Sequence, residues 1–393
     1  MTALRLLRCS NAKLGPGFHR RHLSLILSAG LAHCSSDDAA SGSPTPDPDA
    51  AAGSDAPAGG DGSTADTSVP VPGTDGAVDA ATDAPVGAPI AVTAFDTYTT
   101  FGANYLTCDP VGNCYGNRQN IYKLAPNATA YTVIGNSTNG LVTSSPSSIL
   151  RDPAGNLFTN AGCTGSLGVY KLPAGTTTWA KLGTGLDGNN PTSCNFHTMA
   201  VDAAGTLYVG FAIDKALFKL PAGQTAWVTT PTDLNEVVRA TATRGNDVYV
   251  AFNGGVKMLA SGAAAWTTFE TDGPILPYHL TIDGAGNLYL TNESTVYKLA
   301  AGANTATAWV PTTGITTAST ASNPVFDSAG NGYIAARDGN GNVYALFKLA
   351  AGTLAWTKVL ATTVFLSENC RAMADDHIGH LILQCDTMML RSK

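Results

Sequence analysis

Eight polar residues of this sequence share one recurring position. Asn104, Ser147, His197, Tyr278, His279, Asn323 and Arg371 each fall four or five residues before an Asp-x-x-Gly turn, and Arg239 falls four before the related Thr243-Arg-Gly-Asn246. Arginine forks and imidazoles suit an anionic or carbonyl-bearing ligand. The same groups could equally serve to solvate the opening they surround. His197, in Phe196-His-Thr-Met-Ala-Val-Asp202, is the one candidate for a general base, and no complete catalytic set accompanies it. No Ser-His-Asp elbow, phosphate-binding glycine loop or zincin helix is present. Asp338-Gly-Asn-Gly-Asn342 starts like a calcium loop but lacks the closing glutamate, so it reads as a turn.

The elements that would position these residues come from a repeat, and a repeat outranks local signals. Asp-x-x-Gly turns occur at Asp109, Asp152, Asp202, Asp283 and Asp327, with degenerate copies at Thr243–Asn246 and Asp376–His380. Their glycines fall at 112, 155, 205, 245, 286, 330 and 379. Aspartate can bond the backbone two residues on, and glycine accepts positive φ, so the unit is a hairpin turn. A β-rich run follows each turn, as in Leu207-Tyr-Val-Gly-Phe211. Next comes a strand such as Val169-Tyr-Lys-Leu172 or Val296-Tyr-Lys-Leu299, then a small-residue turn. A tryptophan then opens a fourth strand at Trp179, Trp227, Trp266, Trp309 and Trp356. Their fixed place in the repeat assigns these indoles to packing between units rather than to sugar stacking.

Four short strands per repeat without helical periodicity make an all-β fold, a seven-bladed β-propeller over residues 90–393. The last copy lacks a fourth strand, and Ile90–Thr99 is an extra strand before the first. It is expected to close the last blade as its outermost strand. A six-bladed ring is the competitor, because two copies are degenerate.

The hairpins Ala200-Val-Asp-Ala-Ala-Gly-Thr-Leu-Tyr208 and Thr281-Ile-Asp-Gly-Ala-Gly-Asn-Leu-Tyr289 resemble those of NHL-type, gluconolactonase-like and streptogramin-lyase-like propellers. The resemblance covers about residues 90–393. It implies loops around a central channel as the place for ligands. For gluconolactonase-like relatives it implies a divalent metal held by carboxylates and an amide. For streptogramin-lyase-like relatives it implies a histidine base beside a metal-bound substrate, and His197 occupies a similar approach. The eight residues named above include no carboxylate; Glu236 and Glu368 lie a few residues upstream of Arg239 and Arg371. A divalent metal is therefore expected only if the enzyme reading holds, and otherwise no cofactor.

Six cysteines lie in residues 90–393. The propeller brings them together as Cys108–Cys114, Cys163–Cys194 and Cys370–Cys385, three local bridges of the kind formed in an oxidising compartment. A metal site is the alternative, but no ligand spacing supports one.

The first 89 residues differ in kind. Arg20-Arg21 precede a short apolar run, Leu23–Leu31, which ends at Leu31-Ala-His-Cys34. Residues 1–34 thus read as a signal peptide, too short in its apolar part to span a bilayer. Its end resembles a bacterial lipobox, in which Cys34 would be acylated, although His33 stands where that pattern prefers a small residue. Plain secretion is the alternative.

Residues 35–89 hold ten aspartates, no lysine, no arginine, no leucine and no aromatic, so they read as a disordered linker. A coil of about 55 residues spans roughly 40 Å r.m.s.. The chain's formal charge of -7 leaves no basic face for nucleic acid.

The sequence therefore describes an exported propeller, anchored in a membrane of the cell envelope through lipid and otherwise monomeric, that binds a small ligand or a protein. The alternative is a lyase or lactone hydrolase working at the channel mouth.

Overall fold

The computed structural model describes Ile90 and residues 92–393, apart from 100–104, 142–145, 147, 162–167, 187–195, 212–214, 232–233, 235, 254, 271–275, 293–294, 304–308, 316–321, 338–343 and 362–369. Among the described residues the chain forms seven four-stranded antiparallel sheets, the seven blades of a propeller. Ser137–Asn139 forms a short 3-10 turn.

The third blade shows the plan. Phe196–Val201 is innermost, followed outward by Leu207–Phe211, Leu217–Leu220 and Val228–Thr229. Because neighbours are antiparallel, the first-to-second turns of all seven blades and the third-to-fourth turns of the first six lie at one end of the ring, here the turn face. The second-to-third connections and the crossings between blades lie at the other end, the loop face.

Each aspartate turn is held by its own side chain. In the first blade Asp109 Oδ1 accepts from the backbone N–H of Val111 and Asn113 at 3.1 and 2.8 Å. Its Oδ2 accepts from Asn113 Nδ2 at 2.7 Å and from the Tyr115 hydroxyl at 2.9 Å. Asp283 and Asp327 repeat the arrangement with Tyr289 and Tyr333. Burial, with the neighbouring carboxylate, drives these tyrosine hydroxyls well above their ordinary pKa, so they stay protonated donors.

The asparagine at the end of the turn reaches the next hairpin. Asn287 Oδ1 accepts from Ala301 N at 2.9 Å, and Asn156 Oδ1 from Ala174 N at 3.1 Å. The lysine of the third strand lies cross-strand from the aromatic of the second, 5.5–5.6 Å from the ring centre at Lys298/Tyr289, Lys348/Tyr333 and Lys171/Phe158.

Blades bind one another through the tryptophans. Trp179 Nε1 donates to the Ile134 carbonyl of the preceding blade at 2.7 Å, and Trp227 Nε1 to that of Leu182 at 2.9 Å. Their rings are buried in clusters drawn from both blades. The first blade has Tyr131 in this role, and its hydroxyl meets Met389 Sδ of the last blade at 3.4 Å.

Ring closure follows the sequence expectation and excludes six blades. The last sheet runs Phe95–Thr99, Met389–Ser392, Leu381–Cys385, Cys370–Asp375 from the outside inward. Phe95 stands opposite Ser392, and Thr97 opposite Leu390. Ile90 reaches the sixth blade, where its carbonyl accepts from the Tyr333 hydroxyl at 2.9 Å and its N–H faces Asp327 Oδ2 at 3.4 Å.

Cys108–Cys114 and Cys370–Cys385 are disulfides joining directly opposed residues of the inner hairpins of the first and last blades. Two such bridges point to an oxidising, extracellular setting. The third expected pair, Cys163–Cys194, lies outside the described residues, as do the signal and linker segments and Cys34. Among the described residues no helix is long and apolar enough to cross a membrane.

Candidate functional site

The inner strands begin at the loop face, so residues just before each of them ring one mouth of the channel. Asn104 and Ser147 lie outside the described residues. His197 stands second in the inner strand of the third blade, near the loop face, and its side chain also lies outside them. The other five can be placed. Arg239 donates from Nε to Asn253 Oδ1 at 3.0 Å, and its backbone N–H bonds the Ala251 carbonyl. Asn253 belongs to the second-to-third connection of the same blade, so this guanidinium is drawn along the rim.

Tyr278 is 45% exposed and holds the blade edge through its N–H to the Thr291 carbonyl at 2.8 Å. His279 opens the inner strand of the fifth blade, opposite Thr291. Asn323 is committed to structure. Its Nδ2 donates to the Met373 carbonyl and its Oδ1 accepts from Met373 N–H, both at 3.0 Å, so it bridges the sixth and seventh blades.

Arg371 extends into solvent and pairs at 3.5 Å with Asp386. Asp386 is a carboxylate at this mouth that counting back from the turns could not reveal, because it enters from the second-to-third loop of the last blade. Beneath the rim, Thr198 and Thr241 hydroxyls pair at 2.7 Å across the third and fourth blades. Among the described residues no three of His, Cys, Asp and Glu come together as metal ligands. They therefore give no fit to the divalent ion that the lactonase and lyase resemblances imply, and no step through one is derived.

The opposite mouth is different. At the turn face lies a cavity of about 550 Å³ lined by residues of the first four blades together with His377 of the seventh. Thr107, Thr241 and Thr243 contribute to its wall, and so does Arg151, the last residue of the inner strand of the second blade. His377 has φ 58°, a left-handed conformation that few non-glycine residues adopt. Its N–H donates to Asp375 Oδ1 at 2.8 Å, and its Nδ1 lies 3.7 Å from Asp375 Oδ2. Burial raises the Asp375 carboxyl above its ordinary pKa; the His377 N–H and ring pull it down, and Asp376 and Asp327 push it up.

No family model matches the chain, and no curated protein matches it either. Solved structures do share its fold. Virginiamycin B lyase from Staphylococcus aureus, as a catalytically inactive variant with quinupristin, superposes with a TM-score of 0.58 at 9% identity over 74% of this chain and 94% of that one. The extracellular domain of a hybrid two-component system from B. thetaiotaomicron gives 0.58 at 10% identity, over 76% of this chain and 39% of that one. YCF48 bound to a D1 peptide gives 0.55 at 10% identity, over 78% and 97%. At such identities the likeness is one of fold, and its bearers do different things.

Proposed function

We propose that this protein is an exported, lipid-anchored propeller that binds a small ligand or a protein through its loop face. The observation that carries the reading is the point where the linker meets the ring. Phe95–Thr99 runs antiparallel to the third strand of the last blade, so the chain comes in at the turn face, where Ile90 is held by Tyr333 and Asp327. A tether through residues 35–89 to an acylated Cys34 would join the ring at that side and leave the loop face unencumbered. Loops on a rigid scaffold are where recognition residues concentrate. Tyr278 and Arg371 are already exposed there.

A lyase or lactone hydrolase is the second reading, favoured by the position of His197 at the loop-face start of its strand and by the fold shared with virginiamycin B lyase. One experiment separates the two. The mature full-length chain is screened by thermal shift against divalent metals, sugars, lactones and organic acids, and its N-terminus is read by mass spectrometry. The binding reading expects an acylated Cys34 and ligand stabilisation that survives His197→Ala. A metal-specific stabilisation abolished by His197→Ala supports the enzyme, and an unmodified N-terminus removes the anchor.

A further inference from the structure

One aspartate turn lacks the side chain that completes its counterparts. In the first, second, fifth and sixth blades the asparagine closing the turn donates from Nδ2 to the aspartate Oδ2 at 2.7–3.0 Å. In three of these its Oδ1 also accepts a backbone N–H from the third-to-fourth turn, that of Ala174, Ala301 or Ala351. The third blade has Thr206 in this place. The Thr206 N–H still reaches Asp202 Oδ1 at 2.8 Å, but its side chain is too short to follow the asparagine. Among the described residues Asp202 Oδ2 accepts from the Tyr208 hydroxyl alone, at 3.1 Å. Asp202 is only 4% exposed, so this oxygen is short of a donor where water reaches it poorly.

The missing amide lies beside a groove. About 270 Å³ is enclosed at the turn face between the third and fourth blades. Thr206 and Tyr208, the two residues bonded to Asp202, both line it together with Asp202, which places the carboxyl group at its wall. Lys219 stands opposite Tyr208 and therefore on the same side of the sheet. Its equivalents Lys123, Lys171, Lys298 and Lys348 lie 5.5–5.9 Å from the ring centres of their partners. Lys219 lines the groove instead, with no ring contact, hydrogen bond or ion pair among the described residues.

The groove thus joins an oxygen short of a donor to an ammonium short of an acceptor. A hydroxyl is both donor and acceptor. An amine offers nothing to Lys219, and an ionised oxyanion offers nothing to Asp202. Adjacent hydroxyls on one ring serve both, and Pro221 and Leu259 add apolar surface for the ring itself.

We infer that the turn-face groove between the third and fourth blades binds a polyhydroxylated ligand, a sugar, whose hydroxyls donate to Asp202 and accept from Lys219. This site is separate from the loop face, and either can fail without the other.

The test uses the mature full-length chain, with glucose, galactose, mannose and maltotetraose as probes, in titration calorimetry and thermal shift. Saturable binding of at least one probe is expected. Thr206→Asn restores the side chain of the other blades, so it should melt no lower than the parent and weaken binding by at least about tenfold. Lys219→Met keeps the apolar stem without the ammonium, and should also weaken binding by about tenfold. Arg371→Gln, at the loop face, should leave it unchanged. Binding of the monosaccharides alone assigns the groove to free sugars, and tighter binding of maltotetraose assigns it to glycan chains. Absence of saturable binding by any probe overturns the inference. So does binding that Thr206→Asn and Lys219→Met both leave intact, or that Arg371→Gln removes equally.

Discussion

The aspartates of the turns organise the hairpins from which the blades are built. Each collects up to four donors from its own hairpin, as Asp109 does from Val111, Asn113 and Tyr115, and so is satisfied near the turn face. The last blade departs from this chemistry. His380 replaces the asparagine, with Nδ1 2.9 Å from Asp376 Oδ2, and Arg391 completes the cluster from the third strand at 3.0 Å. One residue earlier, Asp375 is a carboxylate whose ionisation the fold disfavours. Burial raises its pKa above the ordinary carboxylate value, so the native state holds a proton there that the unfolded chain gives up. Its contribution to stability is fully present below the unfolded pKa and is lost as pH rises through the folded one. Asp375→Asn keeps an acceptor for the His377 N–H and removes the titration. The variant is expected to melt above the parent at pH 7, with the gap narrowing as pH falls towards 4. Calorimetric melts across that range check it, and a gap that stays constant or widens on acidification would contradict the assignment.

Between blades the working element is a short crossing whose glycine has no substitute. After its fourth strand the chain passes through Asn139-Gly-Leu141, Thr184-Gly-Leu186 and Thr313-Gly-Ile315 in the first, second and fifth blades. The backbone N–H of Trp179, Trp227 and Trp356 in the following blade donates to the carbonyls of Asn139, Thr184 and Thr313 at 2.8–2.9 Å. The glycines sit at φ 92°, 100° and 92°, and the leucine or isoleucine after each is buried. A methyl on Gly314 would strike the Trp356 carbonyl as well as strain the backbone. Gly314→Ala should therefore cost at least about 2 kcal/mol. Denaturant unfolding measures it, and a loss below about 0.5 kcal/mol would show that the crossing relaxes freely.

These crossings also mark how far the sequence could be read. The hairpin turns, the Tyr-Lys-Leu strands and the tryptophans were legible because each combines a residue type with a fixed local geometry. Asn-Gly-Leu and Thr-Gly-Leu were not, since a polar residue before glycine reads as any loop, and the pairing that explains it spans some 40 residues. The site was less legible for a related reason. Counting back from the turns finds one rim of the channel, but it cannot show that Asn323 is spent on Met373, or that Asp386 arrives from another loop. Arg151, next to a turn, belongs to the opposite mouth.

At the scale of the whole ring, stability is decided at the seam between the last blade and the first. Every other blade is continuous in sequence, but the last draws its outer strand from the opposite end of the described chain. Leu390 and Phe95 are buried there in one cluster with Tyr333, Leu346 and Leu383, which ties the sixth blade to the seventh through the same closure. The two disulfides lie in the inner hairpins of the blades on either side of the seam. They fasten those hairpins but do not cross it, so the strand Phe95–Thr99 remains the principal latch. Cleaving Cys370–Cys385, which spans a separation of 15 residues, should cost about 3 kcal/mol. Removing residues 90–99 should cost more. It takes away a row of backbone bonds, the Phe95 packing and the Tyr333 contact, and it leaves Met389–Ser392 as an open edge. The shortened chain is expected to lose its single cooperative transition and to associate through that edge, as read by denaturant unfolding and light scattering. A monomer with an unchanged midpoint and an unchanged denaturant slope would mean that the seven blades hold their circle without the latch.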